Sequence, residues 1–174
     1  MDLTDKSLRP RIRIEPDSLD MIIEFVSVIF LIFLIVIPLR YYGSLPEKIP
    51  THFDGSGTPD GYGSKSTLWL LPAIGFILWI GITILVRFPH IFNYPVQITA
   101  ENAETQYRLA TRLMRILKTV ILIMFTFISY MTIKTALGTA GGLGTFFLPV
   151  FLVLTFGVII IYFVRANRKT RSQD

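Results

Sequence analysis

MIIEFVSVIFLIFLIVIPL, Met21 to Leu39, decides the fold of this chain. A helix crossing about 30 Å of hydrocarbon needs about 20 mostly apolar residues, and this stretch supplies them. Its one charge, Glu24, sits within a turn of the start, where a carboxylate reaches the interface. A soluble helix shows an apolar stripe and a polar face at period 3.6; this segment is apolar all round. The apolar core exceeds the roughly 7 to 15 residues of a secretory leader, and Arg40, Tyr41 and Tyr42 follow it in place of a small-residue cleavage site. It reads as a retained helix.

Three further segments repeat the pattern: 67–86, 116–135 and 145–164. The expected fold class is all-α, a polytopic membrane protein with four transmembrane helices and both termini cytoplasmic. Composition agrees. Of 174 residues 52% are hydrophobic and 17% charged, against about 25% charged in an ordinary soluble domain. Mean hydropathy is +0.57. There is no cysteine, so disulfides, thiolate catalysis and Cys-ligated zinc are excluded. His52 and His90 are the two histidines.

Lys and Arg set the orientation. The 1–20 tail carries Lys6, Arg9, Arg11 and Arg13; the loop and helix extension at 87–115, with the residues just beyond, carry Arg87, Arg108, Arg112, Arg115 and Lys118; the 165–174 tail carries Arg165, Arg168, Lys169 and Arg171. The opposite side holds only Arg40, Lys48, Lys65 and Lys134. Positive charge concentrates in cytoplasmic loops, which places both tails and the middle loop inside. The net charge of +5 therefore orients a membrane protein, and no nucleic acid is expected as a partner. Tyr41, Tyr42, Trp69 and Tyr162 fall near span ends as an interfacial belt.

The outward loop, 43–66, reads GSLPEKIPTHFDGSGTPDGYGSKS. Its prolines and glycines forbid a long helix, and a run of tight turns is expected, with a β-turn at Thr58-Pro59-Asp60-Gly61. His52, Asp54 and Asp60 are candidate metal ligands, since an imidazole with two carboxylates suits a divalent ion. The simpler alternative has Asp54 and Asp60 capping turns and His52 bonded to backbone. An EF-hand is excluded because Pro59 replaces the loop glycine and Lys65 the closing glutamate. Gly55-Ser56-Gly57 lacks the form of a nucleophile elbow.

On the cytoplasmic side, Pro89 and Pro95 break helix, and Thr99 reads as an N-cap for a helix running from about Ala100 to Ala136, a rod of about 55 Å. Arg108, Arg112 and Arg115 share one helical face. They read either as a docking surface or as cations at the anionic inner leaflet. No ionisable residue stands mid-span, which argues against an ion path.

Leu45 to Lys65 contains L-P-x-x-I-P-x-H-x-x-x-x-G-x-x-D between two helices. This resembles the signature of a bacterial membrane module of unknown function, which also forms the N-terminal part of the sporulation-delaying-toxin immunity family. Phe92 to Val96, followed by the E-N-A-x-x-Q-Y-R-L run ending at Leu109, looks like a feature of the module's short members. The resemblance covers roughly residues 22 to 115 and falls on Pro46, Pro50, His52, Gly57 and Asp60. It implies no cofactor and no catalytic role.

The expected protein is a non-enzymatic partner- or ligand-binding protein of the bacterial cell membrane, serving envelope stress, toxin immunity or signalling. Its expected partners are the lipid bilayer, a membrane or extracytoplasmic protein or peptide, and a second copy of the chain. A membrane enzyme or metal-dependent protein using His52 and Asp60 is one alternative, and a small transporter subunit is another.

Overall fold

A computed structural model describes residues 9–171, with side chains to residue 168. Lys6, residues 172–174 and the side chains of Lys169 and Arg171 lie outside the described residues. Four helices, α1 (Ser18–Tyr41), α2 (Leu70–Leu85), α3 (Ala103–Ala136) and α4 (Phe147–Arg171), dominate the chain, and all four lie in segments long and apolar enough to cross a membrane.

Helix α1 begins a turn before the apolar run because Asp17 caps it. Asp17 Oδ1 accepts the Asp20 N–H at 3.0 Å, and Asp20 Oδ2 accepts the Asp17 N–H at 3.2 Å. This reciprocal box satisfies two backbone donors that the helix itself leaves orphaned. The Asp20 amide holds the Asp17 carboxyl below the usual carboxylate range. Helix α3 starts at Ala103, three residues later than expected, with Asn102 in place of Thr99 as its N-cap; a reciprocal pair closes the turn ahead of it, Thr99 Oγ1 accepting from the Asn102 N–H and Asn102 Oδ1 from the Thr99 N–H. Pro72 and Pro149 sit in the first turns of α2 and α4, where a missing N–H costs nothing.

Helix α3 is the hub, packing against α1, α2 and α4. Its 34 residues extend about 51 Å, and it runs parallel to α1. Leu31, Leu34 and Leu122 form the mid-bundle core with Trp79 and Phe125 packed around them. Thr126 Oγ1 shares its proton between Leu122 O of α3 at 2.7 Å and Phe30 O of α1 at 3.1 Å. Among the described residues the expected helix-linking hydroxyl of Ser129 finds no hydrogen-bond partner. A Cβ at Gly75 would stand 2.6 Å from Leu34 Cδ2, so glycine lets α1 and α2 approach here without moving the Leu34 side chain. Helix α4 joins through Tyr162 and Ala166, which pack on Ala110, and through the Phe127–Phe147 stack. Its apolar span is only 6% buried.

The all-α expectation needs one amendment. Between α1 and α2 the chain forms an antiparallel hairpin, β1 (Lys48–Phe53) and β2 (Pro59–Ser64). The expected β-turn at Thr58–Gly61 is replaced by a reversal at Asp54–Thr58, and Pro59, Asp60 and Gly61 lie in β2. Asp54 explains the shift. Its Oδ1 accepts from Ser56 N, Ser56 Oγ and Thr58 N at 2.6 to 2.9 Å, and Asp54 N donates to Thr58 O at 2.9 Å. These bonds, the Ser56 hydroxyl foremost, hold the Asp54 carboxyl below its usual range. Pro59 then takes the first strand position, where its missing N–H is harmless.

Leu45, Ile49 and Leu68 root the hairpin on Ile133 of α3. The loop between α3 and α4 closes over its tip: Leu143 N donates to Gly57 O at 2.7 Å. Gly57 has φ +82°, and a Cβ there would meet Gly144 backbone at 2.7 Å. The bundle thus has a hairpin end and a terminal end.

Candidate functional site

The hairpin end presents a histidine–aspartate pair. His52 faces Gly61 across the ladder, and the register is irregular on both sides of it; such bulges re-aim side chains. A Cβ at Gly61 would stand 3.0 Å from His52 Cβ, so glycine opposite leaves the imidazole room to reach Asp60. With the ring proton on Nδ1, His52 donates to Asp60 Oδ1 at 2.5 Å. The side chains are 71% and 47% exposed. The carboxylate fixes ring orientation, and with the proton on Nδ1 the other ring nitrogen, Nε2, is an acceptor.

The other motif residues divide by role. Asp54 is turned into its own turn and does not join His52 and Asp60. Among the described residues no three His, Asp or Glu side chains gather as a metal cluster. Pro50 is buried opposite Tyr62, Pro46 is exposed where the chain leaves α1 for β1, and Gly57 seats the α3–α4 loop. Glu47 and Lys65 close the hairpin base through an ion pair of 2.9 Å, with Lys65 over the Tyr42 ring. Beneath β1 lies a groove of about 410 Å³ whose walls include Ile49, Phe53, Leu71 and Phe147, with His52 at its rim.

The terminal end holds a second constellation. Asp17, Asp20 and Glu24 of α1 meet Arg112, Arg115 and Lys118 of α3 in order along the parallel helices. Arg112 pairs with Asp17 and Asp20, Arg115 with Asp20 and Glu24, and Lys118 with Glu24 at 2.6 Å. Lys118 also donates to Thr83 of α2 at 3.0 Å and lies over the Trp79 ring. Asp20 is 0% and Lys118 1% exposed. Three acids and three bases are thereby neutralised against one another, as burial requires. Of the expected basic face, Arg112 and Arg115 are thus turned onto α1, and only Arg108 lies toward the surface, bonded to Glu104 and Glu15 O. The partnership had a sequence signal: acids at 17, 20 and 24 and bases at 112, 115 and 118 each recur at about one helical turn.

Residues 9–17 form a strap across this end. Arg9 donates to Phe92 O at 2.6 Å and stacks on Tyr94. Tyr107 Oη donates to Pro10 O, and Ile14 packs with Ala103 and Tyr107. Burial pushes the Tyr94 phenol upward from its usual range.

The profile of a family described as "Domain of unknown function (DUF1648)" matches residues 29–76, which run from the middle of α1 through the hairpin into α2. An uncharacterized protein of Archaeoglobus fulgidus is 38% identical over 66 residues, covering 33% of this chain and 36% of the relative. The chain spans about a third of the length of that relative. No solved structure matches the chain. The matched segment contains the hairpin and its His52–Asp60 pair, and it stops before α3 and the basic half of the charge network; the chain is similar over that segment to a domain of unknown function.

Proposed function

We propose that this chain is a multi-pass protein of a bacterial cell membrane, with both termini cytoplasmic, whose outward hairpin recognises an extracytoplasmic peptide or protein without catalysing a reaction. Toxin immunity, envelope stress sensing and signalling are the settings such a protein serves. The observation that carries this reading is the His52–Asp60 pair. It is pre-oriented by a 2.5 Å bond, largely exposed, and mounted on a hairpin rooted by Leu45 and Ile49 in the bundle. An exposed ion pair adds little to stability, so its geometry serves contact more than folding. An acceptor Nε2 and a carboxylate suit a partner that offers a donor beside a cation.

A photo-crosslinking amino acid at Tyr62, which is exposed in β2 opposite Pro50, tests the proposal in cells. A discrete adduct that disappears with His52→Ala and persists with Arg168→Gln is expected. No adduct, or one indifferent to His52, overturns the proposal.

A metal-dependent role is the second reading, favoured by the carboxylate–histidine pairing that commonly orients metal-bound imidazoles. Stoichiometric metal in purified protein, lost with His52→Ala while folded yield is kept, would replace the first reading with this one.

A further inference from the structure

We propose that a cavity at the terminal end binds the phosphate group of an anionic phospholipid. The cavity measures about 660 Å³ and lies between the strap, the start of α1 and the end of α2, a size typical of small-molecule clefts. Its charged lining is Arg13, Arg87, Arg115 and Glu24. Glu24 is already spent: Oε1 stands 3.4 Å from Arg115 Nε and Oε2 2.6 Å from Lys118 Nζ. Arg13 pairs only with the exposed Glu15 at 3.0 Å among the described residues, a contact water readily replaces. Arg87 is exposed just past the end of α2. The mouth therefore carries a surplus of guanidinium charge, whose planar fork matches phosphate oxygens.

A second observation is independent of that charge surplus. Arg115 is 6% exposed, and its Nη1 makes no hydrogen bond among the described residues. It stands 3.6 Å from Asp20 Oδ2. A buried guanidinium N–H whose carboxylate neighbour stands beyond hydrogen-bond distance is uncommon, and a closer acceptor would satisfy it. Asp20 Oδ2 faces it beyond hydrogen-bond distance, and the cavity that Arg115 lines has room for a closer anionic oxygen.

The remaining wall selects an amphiphile over a free anion. Met21, Val86 and Phe88 face the cavity, and Met21 and Phe88 also extend to the outer surface of the bundle. A headgroup phosphate seated among the arginines would lay its acyl chains along that apolar edge. The site lies at the end that carries most of the Lys and Arg. The inference stands apart from the hairpin reading, since no residue is shared.

Native mass spectrometry of the detergent-solubilised full chain, offered equal phosphatidylglycerol and phosphatidylcholine, tests it. Wild type is expected to retain one phosphatidylglycerol preferentially. Arg13→Gln with Arg87→Gln is expected to weaken that retention by about 30-fold, two surface cations' worth. Both side chains are exposed, and unchanged thermal unfolding will verify that the double variant folds. Arg168→Gln, at the same end but outside the cavity, should leave the preference intact. Equal retention by wild type and double variant, or equal loss with Arg168→Gln, overturns the proposal. So does displacement of the lipid by equimolar inorganic phosphate, which would make the ligand a free anion. Independently of any arginine variant, a photoactivatable phosphatidylglycerol should label peptides spanning Val86 to Phe88 in wild type; labelling confined to α4 contradicts the site.

Discussion

The hairpin end and the terminal end both hold paired acids and bases, in opposite surroundings. At the hairpin, His52 and Asp60 stand in water on two short strands. At the terminal end, Asp20, Glu24, Arg115 and Lys118 are packed between helices, and each charge has more than one polar partner. Water competes with the first pair and is excluded from most of the second. Removing one partner of an exposed pair costs about 0–1 kcal/mol, whereas stranding a buried charge costs about 3–5 kcal/mol. The same chemistry thus links helices at one end and stands open to solvent at the other.

The largest effect is expected from Asp20→Ala. It removes the acceptor shared by Arg112 and Arg115 together with half of the α1 capping box, and should cost about 3–5 kcal/mol in denaturant unfolding in micelles. A cost under about 1 kcal/mol would show that water reaches this network and would erase the contrast between the two ends.

Gly57→Ala comes next. A left-handed φ and a Cβ 2.7 Å from Gly144 backbone should cost about 1–3 kcal/mol, felt locally. Hydrogen exchange at the Leu143 amide, which donates to Gly57 O, should accelerate while exchange at Leu122 in the bundle core stays slow. Uniform acceleration would mean that the hairpin is part of the folding unit of the bundle rather than an appendage to it.

His52→Ala and Asp60→Ala should each shift unfolding by less than about 1 kcal/mol, with the Tyr62 crosslink read separately. A larger loss would move the pair from contact to folding.

The smallest effect is a pH dependence. The Asp54 carboxyl titrates below its ordinary value of 3.8 because its turn donors favour the charged form. A depressed folded-state value stabilises above the unfolded value and is lost as pH falls through the folded one. The turn should therefore persist to below about pH 4 and fray under more acid conditions, as read by amide exchange at Thr58, and Asp54→Asn should abolish that dependence.

The four long helices were legible because each carries a stretch apolar on every side; the ends of α1 and α2 moved by one to three residues, while α4 runs seven residues past its expected end. Asp17-x-x-Asp20 drew α1 back to Ser18, and a 3-10 turn at Lys65–Trp69 delayed α2 to Leu70. The hairpin was hidden because its prolines and glycines outweigh the short β-forming run at Ile49 to Phe53. Two turn signals competed there, and the Asp54 side chain decided for the earlier one. The basic face of α3 was visible, but its orientation depended on acids more than 90 residues away. His52 and Asp60 were recognisable as a motif; that they bond to each other, leaving Asp54 out, depended on the strand register.

The α1–α3 pairing bears on the order of synthesis. Glu24 precedes Lys118 by 94 residues. A nascent α1 entering a bilayer would bring Asp20 and Glu24 to its edge with no counter-charge yet made, and a lone carboxylate stays hydrated rather than enter hydrocarbon. The first helix would then ride shallow until the third emerges, and settle to its final depth as Lys118 and Arg115 reach it. Biogenesis of such a chain would end on a vertical adjustment of its oldest segment, timed by its second-youngest.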